Sequence, residues 1–158
     1  MVRRQFARMI TVLITVMAFG ALTSAKAQTI INVEKAGTLS TLLADTEPEA
    51  KITGAINGTD IKYLRQLTTS KSLASLDLSE ATIVAGGDAY YETKKTENNV
   101  IGESMFVECK KLKTIILPPT TSTIGVNAFA RSGLREIDIP NSVTRLGNDA
   151  FAYWSYLA

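Results

Sequence analysis

The sequence has no histidine and one cysteine, Cys109, in 158 residues. Without histidine there is no Ser/His or Cys/His nucleophilic couple and no imidazole metal site. A single thiol cannot close an internal disulfide, so Cys109 either pairs with another molecule or is buried as a small apolar side chain. Long apolar runs are as scarce: Met9 to Leu22, MITVLITVMAFGAL, falls short of the roughly 20 residues that span a bilayer. It follows Arg3, Arg4 and Arg8, and precedes the small-x-small pattern Ala25-Lys26-Ala27. Residues 1–27 therefore read as a secretory signal peptide cut after Ala27, with no cysteine at the cut to carry a lipid and no membrane span left afterwards. Excess positive charge goes with the signal. Four of the 17 basic residues and none of the 15 acidic ones lie in it, so the remaining chain has 13 against 15. A net charge of −2 gives no footprint for nucleic acid.

What remains is globular in composition, 46% hydrophobic and 20% charged. It is also repetitive. IGESMFVECKKLKTIILP, from Ile101 to Pro118, is matched 23 residues later by IGVNAFARSGLREIDIP, from Ile124 to Pro140. The frame restarts at Leu146 in LGNDAFAYWSYL, so Phe106, Phe129 and Phe151 recur at intervals of 23 and 22 residues. An aromatic repeating at that spacing is a core spine, because each unit buries its apolar side only by stacking on its neighbours. Cys109 occupies the small-residue position of this frame, which favours a buried reduced thiol.

Thr114 to Leu117 and Glu136 to Ile139 alternate at period two and read as short strands with Ile115, Leu117, Ile137 and Ile139 inward. The Ile-Gly-x-x-x-Phe half does not alternate and suits turns or a short helical piece, with Asn127-Ala128 and Asp149-Ala150 at tight turns. Upstream, LTTSKSLASLDL carries the frame at Leu67, Ser70, Leu73, Leu76 and Leu78. The polar run VAGGDAYYETKKTENN, residues 84–99, is then an inserted loop. Before the repeats, residues 28–66 form a small α/β cap. There Thr38 caps a helix carrying Leu39, Leu42 and Leu43, Lys51 to Ile56 is a strand, and Asp60 caps the helix IKYLRQL.

The frame Ile-Gly-x-x-Ala-Phe-x-x-Cys-x-x-Leu-x-x-Ile-x-Leu-Pro resembles the repeat of the BspA-like leucine-rich repeat family. The resemblance is close from Ile101 to Ala158 and looser over Leu67 to Leu78. It implies an α/β fold, a solenoid of short parallel strands behind the N-terminal cap. It also implies a non-catalytic bacterial protein, secreted, at the cell surface or in the periplasm, that binds an extracellular protein or cell-surface component and needs no cofactor. One unit departs from the family pattern, with Arg131-Ser132-Gly133 in place of the cysteine segment.

On this register the side chains opposite the core are Ser75 and Asp77, Thr114 and Ile116, and Glu136 and Asp138, a small concave binding surface. An ordinary solvated face is the plain alternative. In the insertion, Tyr90 and Tyr91 among mixed charges suit recognition on a loop held by a rigid scaffold, against the alternative of a connector. Asp88, Glu92 and Glu97 there lack the oxygen spacing of a calcium loop. Glu136 and Asp138 could serve acid/base chemistry only in a cleft, which a repeat face does not offer. Asn57-Gly58-Thr59 reads as a glycosylation acceptor or as a plain turn. Because the frame stops mid-repeat at Ala158, two expectations stand together. The last unit self-associates, or the chain is the structural N-terminal part of a longer surface protein whose functional part lies downstream.

Overall fold

The computed structural model describes residues 28–154. The expected signal peptide, and Tyr156 and Leu157 of the last repeat frame, lie outside the described residues. In chain order the elements are β1 (Thr29–Val33), a 3-10 turn (Leu39–Thr41), β2 (Glu49–Ile56), α1 (Gly58–Ser70), β3 (Ser75–Ile83), β4 (Gly86–Tyr91), β5 (Lys94–Thr96), β6 (Val100–Ile101), β7 (Thr114–Ile116), β8 (Thr123–Ile124) and β9 (Arg145–Leu146). They build three sheets: parallel β1-β2-β3-β7, an antiparallel β4-β5 hairpin, and parallel β6-β8-β9.

The N-terminal part begins with a strand, not a helix. β1 pairs with β2 from Thr29↔Ala50 to Val33↔Gly54. TIINV carries one β-branched residue after another apart from Asn32, a composition that fits the pleated, half-buried edge of a sheet. The helix expected after Thr38 is a single 3-10 turn whose Thr38 side chain makes no cap. Its closing is set instead by Asp60, 1% exposed, whose carboxylate accepts from the backbone N–H of Gly37 at 2.6 Å and Leu39 at 2.9 Å.

Asp60 is not the N-cap of α1. Asn57 is, accepting from Thr59 N at 3.0 Å, while Asp60, three residues on, reaches back to Asn57 N at 3.0 Å. That is a capping box, and Asp60 is drawn into it because one carboxylate there serves both the helix start and the preceding turn. Ile61, Leu64 and Leu67 give α1 its buried stripe, and the Tyr63 hydroxyl donates to Leu43 O at 2.7 Å.

β3 is longer than the repeat predicts and contains a bulge. Lys51 pairs with Asp77 but Thr53 with Glu80, so β3 holds one extra residue. The slip moves the buried set from Leu76 and Leu78 to Ala81 and Ile83, which keeps both halves of SLDLSEATI apolar toward the core. The Asp77 carboxylate accepts from Ser79 N at 2.8 Å and fixes the kink.

In the repeats, Phe106 and Phe129 stack with centroids 5.5 Å apart, and Phe129 and Phe151 at 5.8 Å. Around them runs a second, unexpected parallel sheet, β6-β8-β9, and then a backbone ladder between turns. Ser104, Phe106 and Glu108 donate to Val126, Ala128 and Ala130, and Asn127, Phe129 and Arg131 donate to Asn148, Ala150 and Ala152. The ladder needs left-handed residues in phase, and positive φ recurs at Ser104, Asn127 and Asp149 and at Glu108, Arg131 and Tyr153. Asn and Asp tolerate this conformation well. The glycine after the Ile or Leu of each frame has a separate reason: a Cβ on Gly125 would lie 2.6 Å from Glu103 N and one on Gly147 would meet Val126 N, where backbone passes, while one on Gly102 would meet the Tyr90 hydroxyl.

Glu136 to Ile139 is not a strand. One bridge, Ile116↔Asp138, is all the pairing it shows. Ile115 and Leu117 are buried as expected, but Ile137 is half-buried and Ile139 is 44% exposed. Leu146, expected in the core by its frame position, is 57% exposed. Ile139 closes the unit from Ile124 to Pro140 and Leu146 opens the next, and among the described residues no strand pairs beyond β9.

Candidate functional site

The outward face of the four-stranded sheet is built row by row from strand register. The row Ile30, Lys51, Asp77, Ile116 crosses all four strands, and the bridge adds Asp138. The next row toward the strand starts is Glu49, Ser75, Thr114. Thr114 Oγ1 donates to Ser75 Oγ at 2.9 Å across the strand pair. Lys51 Nζ lies 2.6 Å from Glu80 Oε1 and 3.8 Å from Asp77 Oδ2. The hydrogen bond that Lys51 donates to Glu80, with both carboxylates nearby, holds its ammonium above its ordinary range.

Five of the six residues expected on this face point out. Thr114, Glu136 and Asp138 are exposed, Ser75 is half-buried, and Ile116 is 52% exposed, an isoleucine left in water between two carboxylates. Asp77 differs: at 9% exposure it is spent on the bulge and on Lys51. Register therefore brings Ser75, Thr114, Ile116 and Asp138 together, while Asp77 is a structural side chain in the same row.

Residues 84–99, expected as a loop, contain the β4-β5 hairpin, and it is pinned at several points. Tyr90 is 4% exposed and its hydroxyl donates to Glu103 O at 2.9 Å. Burial, then the Glu103 charge, pushes that hydroxyl up to about 12. Tyr91 lies under the Arg65 guanidinium, 4.4 Å from its ring centre. Arg65 in turn donates to Ser104 O at 3.0 Å and Met105 O at 2.6 Å. Asp88 N donates to Thr59 Oγ1, and Lys94 pairs with Glu103 at 2.9 Å. Both tyrosines therefore face inward or along the helix, as anchors; what the hairpin presents to solvent is Asp88, Glu92, Thr93, Lys95 and Glu97.

Sequence reasoning missed a third surface. Glu97 and Val100 from the hairpin side, with Thr123, Val126, Arg145 and Leu146, line an open groove of about 590 Å³ along β6-β8-β9. Val126 is 41% exposed there. The alternation needed to find it is only two residues long in each strand.

Among the described residues no three histidine, cysteine, aspartate or glutamate side chains are grouped to hold a metal ion, and no helix is long and apolar enough to cross a membrane. Cys109 is buried, which raises its thiol above the usual range, and Thr69 Oγ1 donates toward its sulfur at 3.9 Å. Asn57, the glycosylation candidate, uses its side chain as the helix cap.

The BspA type leucine rich repeat region matches residues 67–158, in six copies. The chain belongs to the BspA-type leucine-rich repeat family. No curated protein matches it. The family match begins at Leu67, within α1, and covers β3, the hairpin and every later strand. Membership of the BspA type gives a protein-interaction repeat of a generally non-catalytic class, and it leaves the partner open.

Proposed function

We propose that this chain is an exported, non-catalytic interaction module. On this reading residues 1–27 are a cleaved signal, residues 28–66 cap a leucine-rich repeat solenoid, and residues 67–158 are the repeats, interrupted at 84–99. The protein works outside the cytoplasm, at the cell surface or in the periplasm, on an extracellular protein or cell-surface component.

One observation carries this reading. Ile116 is 52% exposed on β7, the edge strand of the sheet, beside the paired Ser75 and Thr114 hydroxyls and bridged to Asp138. An apolar anchor ringed by fixed polar groups supplies both desolvation energy and orientation at an interface. Ser75, Thr114, Ile116, Glu136 and Asp138 make the contact, and the hairpin's exposed tip, carried by Tyr90 and Tyr91 against α1, offers a separate second surface. A stable partner covers about 800 Å² of one side, so the partner lies across several strands.

The test is saturation binding of labelled protein to intact cells and to their immobilised surface proteins, with Ile116→Glu as the comparison. Loss of about tenfold or more in affinity is expected for removal of an apolar anchor. Equal binding by I116E, or no saturable binding by wild type, would sink the reading.

A second reading, that these repeats are the leading part of a longer array and serve as its stabilising start, is supported by the exposure of Leu146 and the half-burial of Phe151. Further units stacked there would cover both. A native secreted product whose mass ends at Ala158, folded and monomeric, would count against it.

A further inference from the structure

We propose that the exported protein carries a modified N-terminus: Gln28 closes on its own α-amine to give a pyroglutamyl residue. The inference rests on the reading of residues 1–27 as a cleaved signal. Ala25-Lys26-Ala27 puts the cut immediately before Gln28. Regular structure begins at the next residue, where Thr29 pairs with Ala50 and its hydroxyl donates to Glu47 Oε2 at 3.1 Å. Gln28 itself is exposed and lies outside β1. The chain is thus held from Thr29 onward, while the new amine and the glutamine side chain stand together in water. Ring closure there breaks no strand pairing.

The chemistry needs nothing from outside the residue. The α-amine nitrogen attacks the side-chain amide carbon Cδ, a bond forms between them, and the Cδ–Nε2 bond breaks. The amide nitrogen leaves as ammonia, carrying the proton given up by the amine. An α-amine titrates near about 8, so a useful share is unprotonated and nucleophilic at neutral pH. Amine and amide are covalently linked at five-membered-ring distance, so no encounter has to be arranged. A cut one residue to either side would leave Ala27 or Thr29 first, and neither can cyclise.

The product is a neutral, blocked terminus. β1 has no charged residue in TIINV, so cyclisation removes the ammonium at the start of an uncharged edge strand. Aminopeptidases, which need a free α-amine, lose their starting point.

The full 158-residue chain is expressed in an exporting bacterium, and the processed protein is treated with an amine-labelling reagent at neutral pH before any acid or heat. Intact mass and the N-terminal peptide are then read. A chain starting at Gln28, lighter by one ammonia, unlabelled at its α-amine, and labelled at Thr29 after pyroglutamyl peptidase treatment is the expected result. The Gln28→Glu variant should keep a labelled α-amine and the same unfolding curve, since its carboxylate is a far poorer acyl donor. A labelled, full-mass Gln28 terminus overturns the cyclisation and leaves signal cleavage standing. A start at any other residue overturns both.

Discussion

Tyr90 shows what one side chain does when an insertion is folded back onto its own scaffold. Its ring is buried and its hydroxyl donates to Glu103 O, which ties the hairpin to the turn that opens the next repeat. In the unfolded chain a tyrosine titrates near about 10, whereas burial here raises it to about 12. A group whose folded pKa is raised favours the protonated folded state. Its contribution is therefore complete below about pH 10 and is lost as pH rises through the folded value, on the order of 2 kcal/mol in all. Urea unfolding at pH 8 and pH 11 should show wild type losing stability over that window and Tyr90→Phe losing less, because phenylalanine has no proton to give up. Equal losses in both would refute the assignment. At this scale the sequence was informative about repetition and silent about direction. Phe106, Phe129 and Phe151 announce themselves by interval, whereas nothing local separates Tyr90 from an exposed recognition tyrosine. Only its contact with Gly102 and Glu103, twelve and thirteen residues on, turns it inward.

Among the elements, α1 and the hairpin depend on each other, and Arg65 is the joint. Its guanidinium stacks on Tyr91 and donates to the carbonyls of Ser104 and Met105, so one side chain closes helix, hairpin and first repeat turn together. Hydrogen bonds from a charged donor contribute about 1.5–3 kcal/mol, and their acceptors here are left half-buried when the donor goes. Arg65→Ala should cost roughly 2–3 kcal/mol in urea unfolding. Arg65→Lys should recover little of it, since an ammonium has neither the planar face nor the fork. Full rescue by lysine would reduce the joint to simple charge. Elements with long signals were legible: α1 from its apolar stripe, β7 from its alternation, β2 from KITGAI. β1 was not, because five residues without a turn signal before them do not distinguish strand from coil. The pairs β6, β8 and β9 were not either. Two residues hold no period, and their pairing is decided by the turn ladder that stacks one repeat on the next. Glu136 to Ile139 failed in the opposite sense: its alternation is clear, but a strand also needs a partner, and pairing reaches it only at Asp138.

At the scale of the whole molecule, contacts run from each unit to its neighbours, so stability should vary along the chain instead of being shared evenly. The N-terminal sheet and α1 bury Leu39, Ile52, Ile56, Ile61, Leu64 and Leu76 almost completely. The last described turn has Phe151 only half-buried, edge-on to Trp154 at 5.3 Å, with the Trp154 indole N–H donating to Phe129 O at 3.0 Å. The two ladders of turn hydrogen bonds are chemically alike but differ in cover. Amides of Ser104, Phe106 and Glu108 donate to a unit that is itself stacked, whereas those of Asn127, Phe129 and Arg131 donate to the last described one. Hydrogen exchange should therefore be slow at the first set and faster at the second. Phe151→Ala removes part of the last ring stack and should speed exchange at Asn127, Phe129 and Arg131 by about tenfold or more, a local change of roughly 1.4 kcal/mol. Amides of β2 and β3 should be unmoved. If F151A accelerates all of these amides equally, the chain opens as one cooperative block and the neighbour-to-neighbour picture of its stability is wrong. If only the terminal set responds, the array frays from that end, and any partner that binds across Asp138 and Ile139 also stabilises the unit that carries them.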